Sequence, residues 1–262
     1  MQFSYHKFDL KEFNLYPLGD WHVGSPQCNK GFIKRHIVTV TEDPLGYWVG
    51  MSDFMENAIV GSKSDLYKQT MSPEEQLDWV CETLEPIQDK GLFIIAANHE
   101  QRTMKTVGLQ PERHIAKRLD VPYKGYSCYA IFQLMQAKNP QSFKCYFHHN
   151  YGGGYTKGGK VNRSAKLREI APSADATFSA HFHITSRTPS KWYDTGRKGI
   201  ISRVGYDYII GSALEYDESY AEERAKPAAV TEFIRVTFKG CTNGRRDNRE
   251  QIYEVITSNG RQ

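Results

Sequence analysis

Five times along this chain a short apolar run ends in a polar cluster able to bind metal or move protons. Leu15–Leu18 leads into Asp20 and His22, and Tyr47–Met51 into Asp53. Leu92–Ala96 leads into Asn98, His99 and Glu100. Lys144–Phe147 leads into His148 and His149, and Ala176–Ala180 into His181 and His183. Apolar runs this short are the pattern of buried strands, so each is expected to deliver reactive side chains to the mouth of a sheet.

Between the runs the spacing turns helical. Phe32, Ile33, His36, Ile37 and Val40 fall on one side of a helix expected over Cys28–Val40. Ser72-Pro73-Glu74-Glu75 is a capping box with proline at the first helical position. Leu77, Val80, Cys81 and Leu84 continue that helix over 72–85, with a break at Pro86. Flanked by the strands 47–51 and 92–96, it makes a βαβ unit.

Residues 1–14 read as an edge strand or arm, and Glu56–Lys68 as a loop with helical pieces. Pro111–Leu119 reads as a short basic helix, Tyr126–Met135 and Ser142–Phe147 as paired strands, and Asn162–Ile170 as a helix. Later strands are expected at Gly199–Val204, Tyr206–Gly211, Val230–Phe238 and Gln251–Ile256. The expected architecture is α/β, a two-layer β-sandwich with helices outside. One domain is expected over 1–262, with its core at about 14–211 and the strands of 212–262 completing the second sheet.

Composition narrows the class. Apolar residues make up 39% and charged residues 24%, as in a water-soluble globular protein. No apolar run approaches the roughly 20 residues of a membrane span, and the opening MQFSYHKFDL lacks the apolar core of a signal peptide. A cytoplasmic location (host cytoplasm for a phage-encoded chain) without membrane partners is therefore expected. The five cysteines are scattered with no Cys-x-x-Cys pair, which argues against a thiolate zinc site or a disulfide framework. A net charge of +4 permits an anionic substrate.

Asp20-x-His22 and His181-x-His183 each place two ligand-type side chains on one side of an extended backbone. Nitrogen and oxygen donors without thiolates suit Mn, Fe, Zn or Ni. Asp20, His22, Asp53, Asn98, one of His148 and His149, His181 and His183 would together supply two metals about 3.5–4 Å apart. A hydroxide activated by the metals would be the nucleophile, and His99 remains as general acid for the leaving group.

The series Gly-Asp-x-His, x-Asp-x-x-Glu-Asn, Asn-His-Glu, His-x-x-Gly-Gly-Gly and His-x-His, from about Leu18 to Ile184, resembles the calcineurin-like metallophosphoesterases, and most of all their small bacteriophage and prokaryotic branch. The resemblance implies a sandwich with a dinuclear centre at its strand ends. It implies Asp20, His22 and His183 on one metal and Asp53 as the bridge. Asn98, His181 and either His148 or His149 would hold the other metal, with His99 catalytic. Counting back from the glycine triplet points to His149, and counting from the strand end points to His148. Where the family has glycine, this chain has Ser52, Ala97 and Ala180, and Asn150 follows His149. A positive φ at any of these would be strained, and Ala97 is the first place to expect it.

The implied function is hydrolysis of a phosphate ester, expected to be a phosphodiester in a nucleotide or nucleic acid, with two divalent ions, Mn2+ foremost and Fe, Zn, Ni or Mg in its place. The alternatives are a phosphomonoesterase or protein phosphatase, and a non-catalytic scaffold of the same fold. Arg102 and Lys157 are candidates to hold substrate phosphate. Gly154–Val161 nearly fits the phosphate-binding loop G-x-x-x-x-G-K-[ST], but Val161 replaces the metal-holding hydroxyl. A Gly-rich flap bringing Lys157, Lys160 and Arg163 toward phosphate fits that segment better. Arg187, Lys191, Arg197, Lys198 and Arg203 are expected either to rim the site or to be exposed solubilising charge, and Arg245, Arg246 and Arg249 to lie in a solvated loop.

Overall fold

The computed structural model describes the chain except residues 63, 137–139, 197–198, 224, 226, 229, 242–248 and 259–262. In chain order, β1 (Gln2–Phe8), β2 (Glu12–Gly19), α1 (Lys30–Glu42), β3 (Gly46–Ser52) and α2 (Pro73–Leu84) lead through a 3-10 segment, Glu85–Lys90, into β4 (Gly91–Ile94). Next come α3 (Glu100–Val107), α4 (Pro111–Arg118), β5 (Ser127–Leu134), β6 (Gln141–His148), α5 (Lys157–Ala165), α6 (Leu167–Ile170) and β7 (Ala176–Ser179). The chain closes with β8 (Thr185–Gly196), β9 (Gly199–Ser212), α7 (Tyr220–Glu223), β10 (Glu232–Lys239) and β11 (Glu250–Thr257).

The strands form two layers. In one, β2, β3 and β4 run parallel, and β10 pairs antiparallel with β2 and β11. In the other, β1 pairs with β5, β5 with β6, β6 with β7, and β7 with β9, whose far side carries β8. The end of β9 crosses to β10, where Gly211 pairs with Phe233. Only glycine fits there: φ is +87°, and a Cβ would stand 2.0 Å from the Glu232 carbonyl oxygen.

Aromatic contacts across the interior hold the layers face to face. Phe13 meets Phe132 at 5.3 Å, Phe93 meets Phe147 at 5.2 Å, and Phe143 meets Phe238 at 4.9 Å. Outside the β2–β4 layer, α1, α2 and α4 pack through Ile33, Val80, Leu84 and Ile115 onto Tyr16 and Trp48. Outside the other layer, Leu167 of α6 packs on Tyr146, and Val161 of α5 on Phe182, Ile184 and Ile209. This is the expected two-layer β-sandwich flanked by helices.

The capping box of α2 forms as read, with Ser72 accepting from Glu75 N and the Glu75 carboxylate accepting from Ser72 N. Several elements depart from expectation. The strands expected at Gly199–Val204 and Tyr206–Gly211 are one strand, β9, because Gly205 lets the backbone pass close to its neighbours. A Cβ there would stand 2.8 Å from the Ala174 and Asp175 carbonyl oxygens. The helix expected over Asn162–Ile170 starts earlier, at Lys157, and breaks at Lys166. No helix forms among the described residues of 56–68. Both α3 and β8 are additional to the sequence expectation.

Because β2, β3 and β4 are parallel, and β6 is parallel to β7, their carboxyl ends gather at one edge of the sandwich. Open α/β sheets bind their ligands at such an edge.

Candidate metal centre

The segments leaving the strands are locked together by backbone hydrogen bonds. Asp20 N donates to Ser52 O at 2.9 Å, and Trp21 N and His22 N donate to Asp53 O at 2.9 and 3.1 Å. His181 N donates to Asp20 Oδ2 at 2.7 Å and His99 N to Asp53 Oδ1 at 2.8 Å. The turns that do this are strained. Asp20 (φ 51°), His22 (50°), Ser52 (59°), Asp53 (49°), Asn57 (48°), Asn150 (78°), His181 (73°) and His183 (52°) all take positive φ. Each such non-glycine residue costs on the order of 1 kcal/mol, and strain of this kind clusters at active sites and ligand clamps in proteins generally. Of the positions where the resembling family has glycine, Ser52 and Asn150 take the strained conformation. Ala97 and Ala180 do not, so the turn presenting Asn98 is free of the strain expected there.

Donor atoms converge in three overlapping groups: Asp20, His22 and His183; His22, Asp53 and His99; and Asp53, His149 and His181. Within each group the ligand atoms lie within 4.8 Å of one another. His22 Nε2 and His183 Nε2 face each other at 3.0 Å. His149 Nε2 lies 3.0 Å from Asp53 Oδ2 and 3.8 Å from Asp20 Oδ1. Two buried oxygens in this region, Asp20 Oδ1 and Asn98 Oδ1, have no hydrogen-bond partner. An unpaired buried acceptor is costly, and bound divalent cations would satisfy these two. The residues present fit a metal centre of nitrogen and oxygen donors.

His149 is 2% exposed and belongs to the cluster. His148, one residue earlier on the alternating strand, is half-buried and belongs to none of the three groups; its Nδ1 accepts from Asn150 N at 2.8 Å. The cysteines make no contribution to these groups.

Buried acceptors hold the rings and loops in place. His149 Nδ1 donates to Met51 O at 2.6 Å and His99 Nδ1 to Glu56 O at 2.9 Å. His22 Nδ1 pairs with the Glu56 carboxylate at 3.1 Å. A carboxylate behind an imidazole fixes its tautomer and strengthens it as a ligand. Glu56 falls in the Asp-x-x-Glu-Asn series, but its role emerges only in three dimensions. Glu100, fully buried, accepts from Phe54 N at 2.8 Å, Asp53 N at 3.2 Å and Met55 N at 3.3 Å. It therefore anchors the turn that presents Asp53.

The electrostatics follow from this burial. Burial pushes the Asp20 carboxyl up to about 7, and Asp53 adds to the rise against the opposing pull of His149. Burial would raise Asp53 too, but the charges of His149 and His99 outweigh it and hold Asp53 well below the usual carboxylate range. Burial lowers the His149 imidazole, yet Asp53 beside it lifts it to about 9. His99 and His181 are each pushed down to about 4, chiefly by burial. His183 is pushed down by burial, with His22, His181 and the Lys160 ammonium acting in the same direction.

Arg102 adjoins this cluster. Its Nη2 donates to His99 Nε2 at 3.0 Å, and Nη1 donates to Glu56 O at 2.8 Å and to Ser64 Oγ at 3.0 Å. Lys157 opens α5, on the same face as Lys160 one turn later. Thr156 caps this helix by accepting from Gly159 N. The helix thus starts inside the G-x-x-x-x-G-K pattern, and no phosphate-cradling loop forms there.

Arg187 packs on the Tyr206 ring at 3.8 Å. Lys191 and Arg203 sit on the half of the β8–β9 hairpin remote from the carboxyl edge, so they do not rim the cluster. Arg197, Lys198, Arg245 and Arg246 fall outside the described residues. Arg249 pairs with Asp175 at 2.8 Å rather than lying in solvent.

No known family profile matches this chain, and no curated protein matches it by sequence. Solved structures show a weak likeness. A zinc complex of wild-type Vps29 from Entamoeba histolytica is 9% identical, over 94% of this chain and 99% of that one, with a TM-score of 0.40. A conserved uncharacterized protein from Streptococcus pneumoniae, described as a predicted phosphoesterase, is 8% identical, over 94% of this chain and 99% of that one, with a TM-score of 0.36. The fold and the site therefore stand on the chain's own topology and geometry.

Proposed function

We propose that the protein is a metal-dependent phosphoesterase acting on a phosphodiester. The observation that carries the reading is the convergence of Asp20, His22, Asp53, His149, His181 and His183 at one carboxyl edge, with unpaired buried oxygens on Asp20 and Asn98. Asp20, His22 and His183 would hold one divalent ion, and Asn98, His149 and His181 a second, with Asp53 between them. Ions bound there, Mn2+ foremost, would make hydroxide available near neutral pH and offset the phosphate charge.

The chain's own groups do the rest. Glu56 keeps His22 in register, and Glu100 fixes the Asp53 turn. His99, with Nδ1–H engaged on the Glu56 carbonyl, presents an unprotonated Nε2 that would take up the proton released by the attacking water and pass it to the leaving oxygen. Arg102, bonded to that nitrogen, would turn a guanidinium donor toward the phosphate. Lys157 and Lys160 add positive charge from the α5 side. Hydrolysis of bis-p-nitrophenyl phosphate with Mn2+ tests the reading. Wild type should turn the ester over and Asp53→Asn should not; equal inactivity of the two across divalent metals would end it.

A further inference from the structure

The loop that follows His149 sets an open aromatic ring beside the cluster. The Tyr151 ring lies parallel to His181, with planes 7° and centroids 6.4 Å apart, and the residue is 68% exposed. The backbone takes positive φ on both sides of it. Asn150 before it takes φ 78° and accepts from Tyr151 N at 2.9 Å. Gly152 after it takes φ 79° and lies against the Arg163 guanidinium, so closely that a Cβ would stand 2.9 Å from Cζ. The positive φ of Asn150 and the close approach of Gly152 to Arg163 thus keep a large ring in water beside the cluster.

Other exposed tyrosines stand on segments that border the site. Tyr155, in the same loop, is 63% exposed. Tyr126, 65% exposed, bonds Gln101, the neighbour of Glu100. Tyr67, 95% exposed, belongs to the segment whose Ser64 accepts from Arg102. Cations stand at the cluster itself, Arg102 against His99 and Lys160 near His183. Flat aromatic faces interleaved with cations are what a strand of unpaired bases recognises: the rings stack the bases and the cations meet the phosphates. A duplex keeps its base faces stacked inside and offers none to Tyr151.

We propose that the substrate is a single-stranded nucleic acid, and that Tyr151 is the platform on which the base next to the scissile phosphate stacks. This rests on the phosphoesterase reading and names its substrate class. The test uses the full chain in EDTA, which withholds the divalent ions that hydrolysis would need, with a short single-stranded DNA carrying 2-aminopurine, whose emission falls when it stacks. Wild type and Tyr151→Phe should bind and quench the probe. Tyr151→Ala should lose the quench and bind about tenfold more weakly, with an unchanged melting temperature. An abasic strand of the same length should bind wild type and Tyr151→Ala alike.

Quenching by Tyr151→Ala equal to wild type would overturn the proposal, as would abasic or duplex DNA binding wild type as tightly as the base-bearing strand. The two readings fail separately. Wild type that hydrolyses bis-p-nitrophenyl phosphate without Tyr151-dependent stacking refutes this inference alone. Stacking without any hydrolysis refutes the phosphoesterase reading and leaves the binding platform standing.

Discussion

Replacing Glu100 by alanine is expected to cost far more stability than replacing it by glutamine. Glu100 is fully buried and its carboxyl accepts three backbone donors: Phe54 N at 2.8 Å, Asp53 N at 3.2 Å and Met55 N at 3.3 Å. Burial, with Asp53 and Glu112 nearby, pushes this carboxyl well above its ordinary range, so a neutral amide resembles its resting form. Alanine strands all three donors, at about 1–3 kcal/mol for each buried group left unpaired. The two longer bonds count for less, and removing a buried acid returns part of the cost, leaving a net loss of about 2–5 kcal/mol. Glutamine keeps an acceptor for Phe54 and Met55 and loses only the Asp53 bond, about 1 kcal/mol. Urea denaturation in EDTA reads both values without a contribution from bound metal. Midpoints that coincide for the two variants would refute the anchoring role of Glu100.

Further outcomes follow from particular groups. His36 is buried among Tyr16, Phe32 and Phe233 with neither ring nitrogen hydrogen-bonded, and burial pushes it down to about 3. Its folded value lies below its unfolded value of 6.5, so the unfolded chain takes up more protons and stability falls as pH drops below about 6.5. His36→Leu should therefore stabilise by about 1 kcal/mol at pH 7 and by about 2 kcal/mol more at pH 5, as read from urea curves; an equal gain at both pH values would contradict this. Glu56→Gln should weaken metal binding about 10–100-fold by loosening His22, measured by titration calorimetry, and unchanged affinity would count against the pairing. Asp120 follows α4 at φ 53° on the surface, so Asp120→Gly should raise stability by about 1 kcal/mol; a lower melting temperature would show that the side chain does more than bear strain.

What the sequence made legible was governed by how far each feature depends on local order. The five polar clusters could be read because each directly follows the strand that positions it. Their meeting point could also be anticipated, since parallel strands bring their carboxyl ends to one edge. The choice between His148 and His149 could not be read from the sequence, because it depends on which face of β6 turns toward Asp53. The helix α3 was hidden because only Glu100 in it is buried, so no apolar face marks it. The strand β8 was hidden by a polar composition with Pro189 inside it, suited to an exposed hairpin. Strain fell on Ser52 and Asn150 rather than on Ala97, since backbone φ depends on the neighbouring strand ends and not on residue size alone. Glu56 and Glu100 gained their roles only when folding brought them behind His22 and beneath Asp53.

In the proposed function the carboxyl edge would hold two divalent ions, with Asp53 between them. Counting Mn2+ bound per chain after equilibrium dialysis, for wild type and Asp53→Asn, tests it most directly. Wild type should bind two ions per chain, and Asp53→Asn should bind fewer while keeping its fold. No bound ion in wild type, or two in both proteins with equal affinity, would contradict the account.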